Sequence, residues 1–365
     1  MSGRATKKQR FAYEPDYVTE PGAILQETID GLGITQKEFA ARTGYTTKHV
    51  NQLITGKARL TPDAAVRLER VTRVPARFWN NLETQYQDRK ARLLANDTIE
   101  VDLVWLKTIP TRELIKRSAI PLPATPAETL EATLSFFGVA SVAAWKAGWS
   151  KHQIAFRKSA GSGADDCTGG IAAWVRLAEL TAAKIDCETY DAVRFKSALQ
   201  QIRSLTMAEP AKFVPEMRTL FAAAGVALAL VPEIPGSRVS GAARWLTPFK
   251  AMIAINLRGK RNDKFWFTLF HEAGHLLNDR HDEVFVDVDY ADDPREKAAN
   301  QFARDLLIPP ERARYLRDLK SKVAVRHFAR GIGVHPAIVV GRLQHEKIIP
   351  FNQMHDLLVP LDWAD

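Results

Sequence analysis

From Pro21 to about Ala95, apolar residues recur at helical spacing in short runs, each opened by a capping residue. Thr35-Gln36-Lys37-Glu38 has the form of a capping box, in which Thr35 caps the helix and Glu38 reaches back to its backbone N–H. The helix it opens turns Phe39 and Ala40 inward and stops near Gly44. Thr46 caps the next helix, where Val50, Leu53 and Ile54 form an i, i+3, i+4 stripe, and Gly56 suits its C′ position. Thr61-Pro62 gives a cap and an N1 proline to a third helix with Leu68 and Val71 on one face. Residues 96–205 read as mostly helical: Leu130, Leu134 and Phe137 share one face, and Ile171, Trp174 and Val175 another, with a Gly/Ser/Asp loop at 159–170 between them. After about Ala208 the period shortens. Val226–Val231, Arg238–Leu246 and Phe249–Leu257 are β-compatible runs separated by PEIPGS and TP, which predicts a small antiparallel sheet. Two further helices follow, carrying HEAGH and EKAANQFARDLL; no repeat or heptad array is visible.

Two short helices joined by a glycine-containing turn, then a supporting helix, are the parts of a helix-turn-helix. The second helix leaves Thr47, Lys48, Asn51 and Gln52 off its apolar stripe, with Thr46 at its cap. Such side chains hydrogen-bond base edges and phosphates, and Gln36, Lys57 and Arg59 flank them as phosphate candidates. The charge agrees. Residues 1–95 hold 16 Lys+Arg against 10 Asp+Glu, so +6 of the net +9 lies in the first quarter of 365 residues. A merely solvated basic face would carry the same charge. The stretch GITQKEFAARTGYTTKHVNQLITGKARLTPDAAVRLERVTRVPARFW is similar to the HigA-type antitoxin branch of the Xre/Cro helix-turn-helix family, from about Pro21 to Tyr86. That resemblance implies antitoxin-like transcription regulation by a homodimer on a palindromic double-stranded DNA operator.

His271-Glu272-Ala273-Gly274-His275 fits HExxH. Positions i and i+4 of a helix face the same way, so both imidazoles can reach one Zn²⁺, and Glu272 can act as general base toward an attacking water. Phe267, Phe270 and Leu277 read as the buried side of this helix. A catalytic zinc needs a third protein ligand, and Glu296 is the best candidate, on a separate helix whose Ala299, Phe302, Ala303 and Leu306 face inward. Asn300, one turn beyond, can accept the other N–H of a ligand imidazole. His281, Asp282, Glu283, Asp287 and Asp293 also lie in the gap and read as solvated. His345, His335, His281 and Tyr290 are candidates for stabilising an oxyanion, unranked by sequence. The strand at Ala251–Asn256 offers itself for pairing with an extended substrate. INLRGKRNDKFWFTLFHEAGHLL, EKAANQFARDLLIP and GIGVHPAIVVGRLQHEKIIPFNQMHDL resemble the ImmA/IrrE metallopeptidases over about 210–365, with weaker likeness at FFGVASVAAW and QIAFRKSA. The resemblance implies zinc dependence and endopeptidase action on regulatory proteins, often a repressor. Asn278 departs from it, so no role is assigned there.

Composition adds bounds. At 46% hydrophobic and 25% charged, a chain of 365 residues has material for two or three domains. Cys167 and Cys187 lie in no ligand spacing and suit a reducing cytosol. MSGRATKKQR is followed by FAYEPDYVTEPG rather than an apolar run, so no secretory signal is read. Ala132–Trp145 and Thr219–Pro232, the longest uncharged stretches, are too short to span a bilayer. The expectation is a cytoplasmic protein of α+β class. A basic arm (1–20) precedes an all-α helix-turn-helix domain (21–95), a helical middle region (96–205) and a zincin-like metallopeptidase domain with a small antiparallel sheet (206–365). Its expected function is transcriptional regulation, with cleavage of a regulatory partner or of itself by the zinc domain. The alternative is a regulator whose zinc domain is a non-hydrolytic sensor or dimerisation module.

Overall fold

Threonine caps punctuate the first part of the chain. Helix α1 (Pro21–Gly31) begins on a proline; α2 (Gln36–Thr43), α3 (Thr47–Ile54) and α4 (Pro62–Thr72) each start on a threonine whose hydroxyl accepts a backbone N–H, from Glu38, His49 and Ala64 respectively. Gly44 ends α2 at φ 74°, a left-handed conformation that a side chain would strain, and so turns the chain into α3. The Thr35 capping box is half realised: its hydroxyl takes the Glu38 N–H, but the Glu38 carboxylate pairs with Arg42 one turn on. Leu25, Ile29, Phe39, Val50, Leu53, Leu68 and Trp79, the last from α5 (Ala76–Ala95), form one buried cluster.

The structure is a computed structural model that describes residues 19–95, 99–149, 168–256, 261–278, 284–286 and 294–361. It divides into two compact units, Met1–Val101 and Asp102–Asp365. Most of the expected basic arm and of the 159–170 loop lies outside the described residues; Thr168–Gly170 belong to a helix.

In the second unit, α6 (Ile99–Leu106, entering from the first), α7 (Thr111–Lys116) and α8 (Pro126–Phe137) precede α9 (Thr168–Ala183), α10 (Ala192–Ser204) and α11 (Pro210–Ala223). Ile171, Trp174 and Val175 are buried as expected, whereas Leu134 is only half-buried. Strands β1 (Val226–Leu230), β2 (Gly241–Thr247), β3 (Lys250–Ile255) and β4 (Val284–Val286) form one sheet in the order β1-β3-β2-β4. The sheet is mixed rather than antiparallel. β2 pairs antiparallel with β3 and β4, but β1 lies parallel to β3, Val226 opposite Ala251. The reason is the long connection 231–240, which carries the chain past the place that β3 fills on its return.

β3 is flanked on both edges, so the expected pairing of Ala251–Asn256 with a substrate strand is excluded. Along β1 and β3, Val226, Leu228, Ala251, Ile253 and Ile255 enter the main core, while the alternate Ala227, Ala229 and Ala254 are buried on the opposite face. The helical stretch 96–205 does not stand apart: Phe195, Leu199 and Ile202 of α10 share that main core, and the Trp174 Nε1–H of α9 donates to the Val231 carbonyl at 3.1 Å. Helices α12 (Asn262–Asn278), α13 (Pro294–Leu307), α14 (Lys322–Ile332) and α15 (Pro336–His345) complete the unit.

Candidate metal centre

Helix α12 packs on β2 and β3 and between α13 and α15. It is therefore buried nearly all round from Phe265 to Leu276, not along one face; Phe267 and Leu277 are its half-buried positions. On α13, Ala299 and Ala303 are buried with Glu296 and Leu307, while Phe302 and Leu306 are half-buried.

Where α12 meets α13, His271, His275 and Glu296 converge. His271 Nε2 lies 3.1 Å from Glu296 Oε2, His275 Nε2 lies 3.4 Å from Glu296 Oε1, and the two Nε2 atoms are 3.1 Å apart. All three residues are buried. A tetrahedral ion with bonds of about 2.0–2.1 Å has ligand edges of about 3.3 Å, so the two Nε2 atoms and the carboxylate whose oxygens face one each are spaced as ligands of such a shell. His271 Nδ1 lies 3.2 Å from Asn300 Oδ1, which accepts its N–H and leaves Nε2 free to bind a metal. Burial would push the Glu296 carboxyl up, but its contacts with both imidazoles outweigh this and bring it down to about 2, ionised as a ligand must be.

Glu272 is fully buried at the foot of β2. A Cβ added at Gly241 would stand 2.6 Å from Glu272 Oε1 and 2.7 Å from Thr268 Cγ2, so a glycine there is what admits the Glu272 side chain. Thr268, His271, Glu296 and Asn300 wall one end of a cavity of about 560 Å³.

In the first unit, Thr47, Lys48, Asn51, Lys57 and Arg59 are exposed on α3 and the turn after it, and Gln52 is half-buried. Two expected contacts are otherwise engaged. The Thr46 hydroxyl caps α3, and Gln36 Nε2 donates to Gln26 Oε1 at 2.7 Å.

The helix-turn-helix family profile matches residues 25–79, and the IrrE N-terminal-like domain profile matches residues 231–344. An uncharacterized HTH-type transcriptional regulator, YddM of Escherichia coli (strain K12), is 33% identical over 92 residues, spanning 92% of that protein and 25% of this chain. The chain belongs to the helix-turn-helix regulators and carries an IrrE-like domain. A solved protein of Nostoc punctiforme, proposed to be an antidote of a plasmid maintenance system, is 26% identical over 22% of this chain and 90% of its own, at a TM-score of 0.22.

The IrrE-like match encloses HEAGH, Glu296 and Asn300, and the helix-turn-helix match encloses all eight expected DNA contacts. Of the oxyanion candidates in this regulator, His345 lines the cavity that His271 and Glu296 also wall, whereas His335 caps α15 through Nδ1, 3.1 Å from the Ala337 N–H. His281, Tyr290, Asp282, Glu283, Asp287 and Asp293 lie outside the described residues. Sequence reasoning missed Gly241 and the cationic residues Arg304 and Arg342 on the same cavity. Arg304 carried a signal, standing eight residues after Glu296 and so on the same helical face. Among the described residues no helix is long and apolar enough to cross a membrane.

Proposed function

We propose that this regulator is a cytoplasmic, dimeric, DNA-binding protein whose IrrE-like domain is a zinc-dependent endopeptidase that cleaves a regulatory protein partner or itself. The supporting observation is the convergence of the buried His271, His275 and Glu296 side chains at ligand spacing, with Asn300 beside His271 Nδ1. Those three residues would hold the ion, which when bound supplies Lewis-acid polarisation of the scissile carbonyl and of the attacking water. The chain's own residues do the rest. The Glu272 carboxylate takes the water proton and delivers it to the leaving amine nitrogen. Gly241 on β2 leaves the room that this carboxylate occupies. An antitoxin-like role rests on the sequence resemblance of the first domain.

Metal analysis of the full-length protein tests the assignment. One Zn²⁺ per chain is expected; Glu296→Ala abolishes tight binding, and Asn300→Ala weakens it by about 10- to 100-fold, the usual cost of losing a partner behind a ligand. Wild-type zinc affinity in Glu296→Ala overturns the ligand set. Gly241→Ala separates base from metal, since the three atoms nearest the added methyl belong to Glu272 and Thr268. Its zinc content should match wild type while cleavage falls at least about tenfold, part of the 10²- to 10⁴-fold that a general base supplies. Unchanged turnover in that variant would show that Glu272 is not the base.

A further inference from the structure

The far end of the cavity is cationic beyond what its own acids balance. Arg304 stands two turns along α13 from Glu296, about 12 Å at 1.5 Å per residue, on the same face. Its Nη2 lies 2.9 Å from His345 Nε2, and its Nε is buried with no hydrogen-bond partner. No carboxylate among the described residues pairs with it. The acids in reach are engaged elsewhere: Glu346 pairs with Arg342, Gln301 Nε2 donates to Asp305 Oδ1 at 2.8 Å, and Arg261 holds Asp263 through both oxygens at 2.9 and 2.7 Å. Burial, and then the neighbouring Arg342, bring the Arg304 pKa down against the smaller opposing effects of Glu346 and Asp305, so the site leaves this cation under-solvated beside a like charge. A buried guanidinium N–H without an acceptor is costly, and the Arg304 side chain lines the cavity, where a ligand carboxylate makes the charge-assisted pairing that arginine favours.

We propose that Arg304 and Arg342, with His345, bind a carboxylate of the peptide substrate three or four residues from the scissile bond, so that the enzyme selects an acidic sequence. The spacing follows from geometry: about 12 Å along α13 corresponds to three or four residues of extended peptide at about 3.3 Å each. The carboxylate is that of an Asp or Glu side chain or of a chain terminus. This rests on the peptidase reading, which supplies the position of the scissile bond.

The test uses full-length, zinc-loaded protein and matched fluorescent decapeptides that differ only by Glu or Gln at one position, each with a free or an amidated C-terminus. Binding is read by anisotropy on Glu272→Gln protein, and cleavage on wild type. A Glu peptide should bind about 10- to 100-fold tighter than its Gln twin, the range of a charge-assisted hydrogen bond. Arg304→Gln should erase that preference while leaving the affinity for Gln peptides and the zinc content unchanged; Arg342→Gln should reduce it. A preference that follows the free C-terminus instead assigns the site to a terminal carboxylate. Acid preference without cleavage of any peptide upholds the carboxylate site and sinks the peptidase reading. Cleavage or binding indifferent to Glu and Gln everywhere overturns the carboxylate site and leaves the peptidase intact.

Discussion

Glu272→Gln should retain one equivalent of zinc, the fold and DNA binding, and should lose about 10²- to 10⁴-fold in peptide-bond cleavage. The exchange is nearly isosteric, which matters because the side chain is fully buried and lies so close to Gly241 that a Cβ there would clash with it. None of His271, His275 and Glu296 is touched, so the metal should stay. Only the base is lost. In cells that carry the natural partner, the variant should accumulate an intact repressor, or intact regulator, where wild type yields fragments under the inducing stress. Identical protein lengths in the two strains, combined with loss of regulation on zinc chelation, would instead make the IrrE-like domain a sensor.

Binding to duplex DNA should fall about 10³- to 10⁵-fold between 50 and 200 mM salt for a dimer making about 6–10 phosphate contacts, because each contact releases condensed counterions. The duplex for this test is one selected by the full-length protein from a random pool. Asn51→Ala, on the exposed face of α3, should lower discrimination between selected and random DNA by about 1–3 kcal/mol. Lys57→Ala or Arg59→Ala should weaken both alike and reduce the salt slope by about one. Thr46→Ala should act differently from either, since its hydroxyl caps α3; the expected loss is about 1 kcal/mol of stability, visible in thermal melting. Absence of DNA affinity at low salt would remove the regulator reading altogether.

What the sequence made legible was local. Thr35, Thr46 and Thr61 announce their helices because capping involves residues three apart, and all three hydroxyls accept the expected N–H. His271 with His275, and Glu296 with Asn300, are readable because a helix fixes what stands one turn away. That the two pairs meet rested on the donor set, and the structure brings them together. Contacts between elements distant in sequence left no such trace. Nothing near Gly241 signals that Glu272 will lie against it, and no period reveals that β1 neighbours β3 rather than β2. The burial of α12 on nearly every side between Phe265 and Leu276 was likewise hidden, since its two histidines and glutamate are polar yet interior.

The sheet order also has a kinetic consequence. β2 and β3 are joined by a two-residue connection, so their hairpin can close locally, on a scale of about 1–10 μs. β1 must dock parallel at a register that sets Val226 against Ala251, across a segment that contains β2. Until it arrives, β3 presents the unpaired edge of the apolar run Ala251–Ile255, the kind of edge that recruits a second chain. Substitutions that delay β1 should therefore lower the yield of soluble protein more than they lower the stability of molecules that have folded, and newly made chains are where this regulator is most exposed to loss.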